Sequence, residues 1–186
     1  MDRSQASRRR LLDAGAAEFA AHGVAGARVD RISLDAKVSK AQIYSYYEGK
    51  EKLFDAVLED QVNDILHRAP LTADLPDYAV RLYDAYLDQP QLVRLAIWAR
   101  LERNPTGPLF PSADESGKVE VIAEAQRAGR IRNDIPAADI HAMVIALATT
   151  WAPNSLTYTA TPADQEDDHL RRRAGLAAAA RAAFMR

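Results

Sequence analysis

The sequence predicts an all-α protein, and three observations carry that prediction. Apolar residues recur at spacings of three, four and seven, as in Leu11, Leu12, Gly15 and Phe19, which is the period of an amphipathic helix. Prolines and glycines punctuate these stretches at regular intervals: Pro70, Pro76, Pro90, the NPTGP run at 104–108, Gly129, Pro136 and Pro162. No run alternates apolar with polar residues under β-branched enrichment, so no strand is required. Counting the periodic stretches between breakers gives about nine helices.

The first helix spans about residues 7–21 and closes at His22-Gly23. Two very short helices follow, residues 29–36 and 40–46, separated by Lys37-Val38-Ser39. Helices this short are marginal in isolation, so both must pack on the first helix and on each other. A fourth starts near Lys50 and keeps the stripe Phe54, Val57, Leu58, Val62 and Ile65 until it ends before Pro70. Two later starts carry cap signals. Ser112 with Glu115 forms a capping-box pattern, and Thr161-Pro162 ahead of Asp164, Glu166, Asp167 and Asp168 places a cap, a proline and acids at the positive end of a helix dipole.

Composition bounds the function. With 48% hydrophobic and 27% charged residues the chain is an ordinary globular one, and 186 residues suffice for a small head plus a helical body. There is no cysteine, which removes disulfides, thiolate nucleophiles and sulfur-ligated zinc. No stretch reaches the roughly 18–20 apolar residues of a membrane span, and the opening MDRSQASRRR has no apolar run after it. A soluble, cytoplasmic protein without membrane partners is expected. The net charge is −2, but residues 1–54 carry ten Lys/Arg against seven Asp/Glu, so the front is the basic end. The four histidines, His22, His67, His141 and His169, show no ligand spacing, and there is neither a nucleophile elbow nor a phosphate-cradling glycine loop. No enzyme, metal site or cofactor is predicted.

The segment 26–50, GARVDRISLDAKVSKAQIYSYYEGK, has the layout of a helix-turn-helix. Ile32 and Val38 are the positions that fix the angle between the short helices, Ile43 packs the second one inward, and Ser39 is a good N-cap for it. Lys40, Gln42, Tyr44, Ser45 and Tyr46 are left to project outward, where they supply base-edge and phosphate partners.

These residues resemble the head of the tetracycline-repressor (TetR) family. That pattern has an Ile-Leu pair and a Phe in the first helix, a Val-Ser turn, a Leu-Tyr or Ile-Tyr recognition helix, an aromatic and Lys-Glu. Here its elements stand as Leu11-Leu12 and Phe19, Val38-Ser39, Ile43-Tyr44, Tyr46-Tyr47 and Lys50-Glu51 with Leu53. The resemblance implies a homodimeric regulator that binds double-stranded operator DNA, with a divergent C-terminal ligand domain and repression relieved by a small-molecule effector. It divides the chain into a DNA-binding domain at 1–49 and a ligand-binding and dimerisation domain at 50–186, and it adds Lys50 as a phosphate contact. Departures stand at Lys37, where the turn usually has Gly, and at Arg28, where a phosphate-binding Thr is frequent. Ala41 takes the usual small position facing the DNA. The competing class is a helix-turn-helix-derived protein-interaction module without sequence-specific DNA binding.

In the remainder, Tyr83, Tyr86, Trp98, Glu102, Phe110, Gln126, His141 and Trp151 are candidates to line a ligand pocket, joined by Met143. Ile140, Val144 and Leu147 form one apolar stripe, and Leu170, Ala174, Ala177, Ala178 and Phe184 another, the small residues permitting close helix approach. Both stripes are assigned to dimerisation as a four-helix interface.

Overall fold

The computed structural model describes residues 3–103, 106–107, 109 and 115–186. Among them are nine helices: α1 Arg3–Gly26, α2 Val29–Ala36, α3 Lys40–Tyr47, α4 Lys50–Arg68, α5 Leu75–Asp88, α6 Pro90–Arg103, α7 Glu115–Arg127, α8 Ala137–Ala148 and α9 Glu166–Phe184. The one β element among the described residues is an isolated antiparallel bridge between Ile131 and Met185. Prolines lie at helix starts, where a missing N–H does no harm: Pro76 in the first turn of α5, Pro90 opening α6 and Pro136 capping α8.

The chain forms two compact units, Met1–Asp64 with Gln91–Phe110 and Ile65–Pro90 with Pro111–Arg186. In the first, Leu11, Phe19, Ile32, Ile43, Leu53, Phe54 and Leu95 are fully buried. The Phe19 and Phe54 rings meet edge to face at 5.2 Å between centroids. Gly15 lets α1 and α4 approach closely, since a Cβ there would lie 2.9 Å from Val57 Cγ2. In the second unit α5 packs on α9 and α8, and α7 packs on α8. Leu75, Ile122, Ile131, Ile140 and Phe184 are its fully buried anchors.

Two helices differ from prediction in where they begin or end, α1 already starting at Arg3. α1 continues to Gly26, but Gly23 breaks it with φ 69° and ψ −178°, so the glycine does interrupt the helix and one further turn follows. α9 begins at Glu166, capped by Gln165 without a side-chain bond, and not at Thr161-Pro162. The cause is Asp164, which accepts from Thr161 Oγ1 at 2.9 Å, Tyr158 Oη at 3.0 Å and Arg172 Nη1 at 2.7 Å and thereby holds 158–164 as a folded excursion. Ser112 of the predicted capping box lies outside the described residues, and α7 begins at its other member, Glu115.

Candidate nucleic-acid interface

The head is built from helices too short to hold their own angles by apolar burial, and polar side chains fix those angles at the junctions. Glu18, only 7% exposed, accepts the Arg28 N–H at 2.8 Å and three bonds from Arg31 Nε and Nη2, so one carboxylate ties α1 to the start of α2. Burial pushes its pKa up. The bonds from Arg31 and from the Arg28 backbone outweigh that and hold it below the ordinary 4.5. The turn between α2 and α3 carries Lys37 in the left-handed region at φ 52° and ψ 46°, the conformation that the missing glycine would have adopted freely. Ser33 Oγ spans the turn by donating to Val38 O at 2.6 Å. Ile32 and Ile43 are 0% exposed and Val38 7%, as their turn-packing positions predict.

Ser39 caps α3 with a full capping box. Its Oγ accepts the Gln42 N–H at 3.2 Å, while Gln42 Oε1 accepts the Ser39 N–H at 2.9 Å and the Ser39 hydroxyl at 3.2 Å. Ile43 and Tyr47 point inward, so Lys40, Ala41, Gln42, Tyr44 and Ser45 stand exposed on the opposite face, Tyr44 at 51%. Tyr46 is half-buried, its hydroxyl 3.4 Å from Ser4 Oγ. Lys40 is ion-paired with Asp30 of α2. Arg28 is exposed at the start of α2. Lys50 donates to the carbonyls of Ala25 and Ala27, both at 3.1 Å, placing its cation at the C-terminal end of α1 beside that surface. The arginines at 8–10 belong to α1: Arg8 Nε donates to Tyr47 Oη at 3.3 Å and Arg10 Nε to Ala36 O at 3.0 Å.

The pocket candidates separate. Trp98 and Glu102 lie in the first unit with their polar groups already engaged. Glu102 Oε2 accepts the N–H groups of Val24 at 2.9 Å and Ala25 at 3.0 Å, and Trp98 Nε1 donates to Ala20 O at 3.3 Å. Gln126 donates both amide hydrogens to the carbonyls of Arg132 and Ile135, at 2.7 and 2.8 Å, closing the α7–α8 turn. Phe110 is outside the described residues. Tyr83, Tyr86 and His141 are buried in the second unit. There Tyr83 Oη lies 2.7 Å from His169 Nδ1 and its ring meets Trp151 edge to face at 5.8 Å. His141 stacks on Tyr78, whose hydroxyl burial pushes up to about 12. His169 Nε2 is buried without a hydrogen-bond partner among the described residues.

The dimerisation stripes also divide by exposure. Ile140 and Val144 are 0% exposed and Phe184 1% within a single subunit, so they are intramolecular core rather than interface. The inward face of α9 runs through His169, Arg172, Leu176, Ala180 and Phe184, its two polar members disguising it in the sequence. Leu170, Ala174 and Ala178 lie exposed with Ala177 half-buried, and on α8 Met143 is exposed and Leu147 half-buried. An apolar groove of about 450 Å³ lined by Met143, Ala146, Leu147, Ala179, Ala183 and Phe184 lies between these helices.

Sequence reasoning missed Glu18, Asp30, His169 and Arg172. Glu18 had a readable signal, since it falls on the Leu11–Gly15–Phe19 stripe where a charge needs a buried partner.

Two short helices joined by a left-handed turn, the second capped and presenting a polar face, define a helix-turn-helix DNA-binding protein. Comparison with known sequences agrees: residues 11–57 match the family described as bacterial regulatory proteins of the tetR family, and residues 74–182 match the tetracyclin repressor-like C-terminal domain. The chain belongs to the TetR family of transcriptional regulators, whose members are not enzymes. It is 37% identical over 153 residues to the HTH-type transcriptional repressor SCO4008 of Streptomyces coelicolor, covering 80% of this chain and 79% of that one. It is 31% identical over 169 residues to the HTH-type transcriptional repressor NicS of Pseudomonas putida, covering 82% and 80%. Its fold matches the crystal structure of SCO4942 from Streptomyces coelicolor with TM-score 0.78 at 33% identity, over 96% of this chain and 98% of that one.

Proposed function

We propose that the protein is a repressor that binds a palindromic operator as a homodimer and is released from it by a small-molecule inducer. The observation that carries the DNA-reading half is α3: an eight-residue helix with one face locked into the core, its first turn capped, and Lys40, Ala41, Gln42, Tyr44 and Ser45 all exposed. Arg28, Tyr46 and Lys50 flank it as phosphate partners, and Ser39 sets its entry angle. DNA reading is assigned to 1–49, sensing and dimerisation to 50–186. Among the described residues no helix is long and apolar enough to cross a membrane, and the proposed operator target supports a cytoplasmic location.

The dimer reading rests on two exposed apolar patches: the groove between α8 and α9, where Met143 is 44% exposed beside Ala179 and Ala183, and the outward side of α9, where Leu170 is 55% exposed with Ala174 and Ala178. Two heads related by a two-fold axis read half-sites roughly 34 Å apart or a multiple of that. The effector is placed in the second unit among Tyr83, Tyr86, His141 and Trp151, with His169 Nε2 as a buried polar atom whose unmet bond a polar ligand group would complete.

A mobility shift with the protein's own upstream DNA, challenged by random competitor, tests the first half. Binding that random DNA abolishes at equal mass would leave the interaction-module reading. Sedimentation of Met143→Glu with Leu170→Glu tests the second: a dimer in the parent and a helical monomer in the variant are expected, and a variant dimer overturns the interface. Effector titrations with and without operator, followed by Trp fluorescence, should differ in affinity by about 5- to 150-fold. Equal affinities would remove the inducer role.

A further inference from the structure

We infer that Gln42 reads the operator as a hydrogen-bond donor only, and so selects a guanine or thymine edge rather than the adenine that a glutamine commonly recognises. The inference rests on the operator-binding reading above and refines it.

The geometry fixes the side chain unusually well. A backbone N–H can only donate, so the Gln42 atom 2.9 Å from Ser39 N must be the amide oxygen, which settles the orientation of the carboxamide. That oxygen also accepts the Ser39 hydroxyl at 3.2 Å, and the hydroxyl is oriented in turn by accepting the Gln42 N–H. A carbonyl oxygen has two lone pairs, and the capping box takes both. What Gln42 presents to solvent is its –NH2 group alone. Bidentate recognition of adenine needs an acceptor for N6 and a donor for N7 on one side chain; with the acceptor engaged, adenine offers the –NH2 group one acceptor, N7, beside an N6 donor that opposes it. Guanine offers two acceptors, O6 and N7, and thymine offers O4, whereas cytosine offers only a donor.

The neighbours leave this position in charge of the first turn. Ala41 has no polar atom in its side chain, and the Lys40 ammonium, drawn toward Asp30 of α2, keeps donors for a phosphate or base as a point charge, so Gln42 is the first-turn residue with a fixed donor geometry. Because Ile43 and Tyr47 anchor the helix from below and Ser33 braces the turn ahead of it, the –NH2 group is held with little loss of side-chain freedom on binding.

The test is selection of bound sequences from a randomised duplex library by the wild type, Gln42→Glu and Gln42→Ala. The Gln42→Glu variant keeps the capping box, because a carboxylate oxygen accepts the same two bonds, and it removes the donor. It should unfold at the wild-type temperature, lose the guanine or thymine preference at one position per half-site by about 5-fold or more, and gain cytosine there through its free oxygen. Gln42→Ala should lose the preference and unfold earlier. Adenine at that position in the wild type, or an unchanged preference in Gln42→Glu, overturns the inference while leaving the operator reading intact. A wild type that binds without any sequence preference overturns the operator reading itself.

Discussion

The two units use their polar groups differently. In the first, charged and amide side chains bind backbone at nearly every junction: Glu18 at the start of α2, Gln42 at the start of α3, Lys50 at the end of α1 and Glu102 just past its break. In the second, Gln126 and Arg132 also bind backbone carbonyls, but the buried polar groups are mostly rings, Tyr78 against His141 and Tyr83 against Trp151 and His169, and a buried ring nitrogen of His169 has no partner among the described residues. The difference follows from helix length. Eight-residue helices bury too little to fix their own angles, so directional bonds must do it, whereas helices of twelve to nineteen residues hold by apolar area and tolerate an unmet polar atom. A reader needs a fixed geometry, and a sensor needs somewhere to respond.

The comparison would break most visibly at Gly23. An alanine there must adopt φ 69° and would place its Cβ 2.3 Å from Glu102 Oε1 and 2.8 Å from Trp98 Cε3. Left-handed strain and the clash together should cost about 2–4 kcal/mol. Urea unfolding followed by Trp98 fluorescence in a Trp151→Phe background should show that loss. A shift below about 1 kcal/mol would mean that the α6 clamp yields and is no fixed part of the head.

Removing the Glu18 clamp comes next. Glu18→Ala strands the Arg28 N–H and releases Arg31, for an expected loss of about 2 kcal/mol in the same measurement. The carboxyl also gives the head a pH dependence. Its pKa is lower folded than unfolded, so its contribution is fully present above about 4.5 and disappears as pH falls below that value, with Arg31, the Arg28 N–H and His22 at 3.8 Å as the groups facing it. Glu18→Gln should flatten that part of the acid-unfolding curve, and an unchanged curve would show that other carboxylates set it.

The second unit should answer differently to the same kind of change. His169→Phe loses the bond between Nδ1 and Tyr83 Oη but also removes the unpartnered Nε2, so the two effects offset and the net change should stay under about 1 kcal/mol. A loss as large as that of Glu18→Ala, read by Trp151 fluorescence, would erase the distinction between the units.

Legibility in the sequence follows the range of the interaction concerned. The bounds of α2, the left-handed Lys37 and the Ser39 cap are set by residues within a few positions of each other, and all are readable. The capping role of Gln42 is as local but stays hidden, because its residue type already suggests a base contact. Trp98 and Glu102 resemble pocket residues because their partners, Ala20 and Val24, are 78 positions away. On α9 the inward face carries His169 and Arg172 while alanines occupy the outward one, so hydrophobicity alone does not say which stripe is core.

The smallest expected effect is also the one that separates two roles of a single residue. Lys50 bridges the Ala25 and Ala27 carbonyls, and an ammonium has three donors, so a third remains for a phosphate of bound DNA. If bracing were its whole role, Lys50→Ala would lower stability and leave the salt dependence of DNA binding unchanged. If it neutralises a phosphate, the slope of log affinity against log salt should fall by about 0.9, equally for operator and random DNA, because the contact carries no sequence information. The Ala25 carbonyl is exposed and that of Ala27 part-buried, so water entering the space of the lost side chain replaces the donors and unfolding should shift by less than about 1 kcal/mol. The expected pair of results is therefore a reduced slope with nearly unchanged stability. An unchanged slope with a clear loss of stability would move Lys50 from the interface to the scaffold, alongside Glu18 and Glu102.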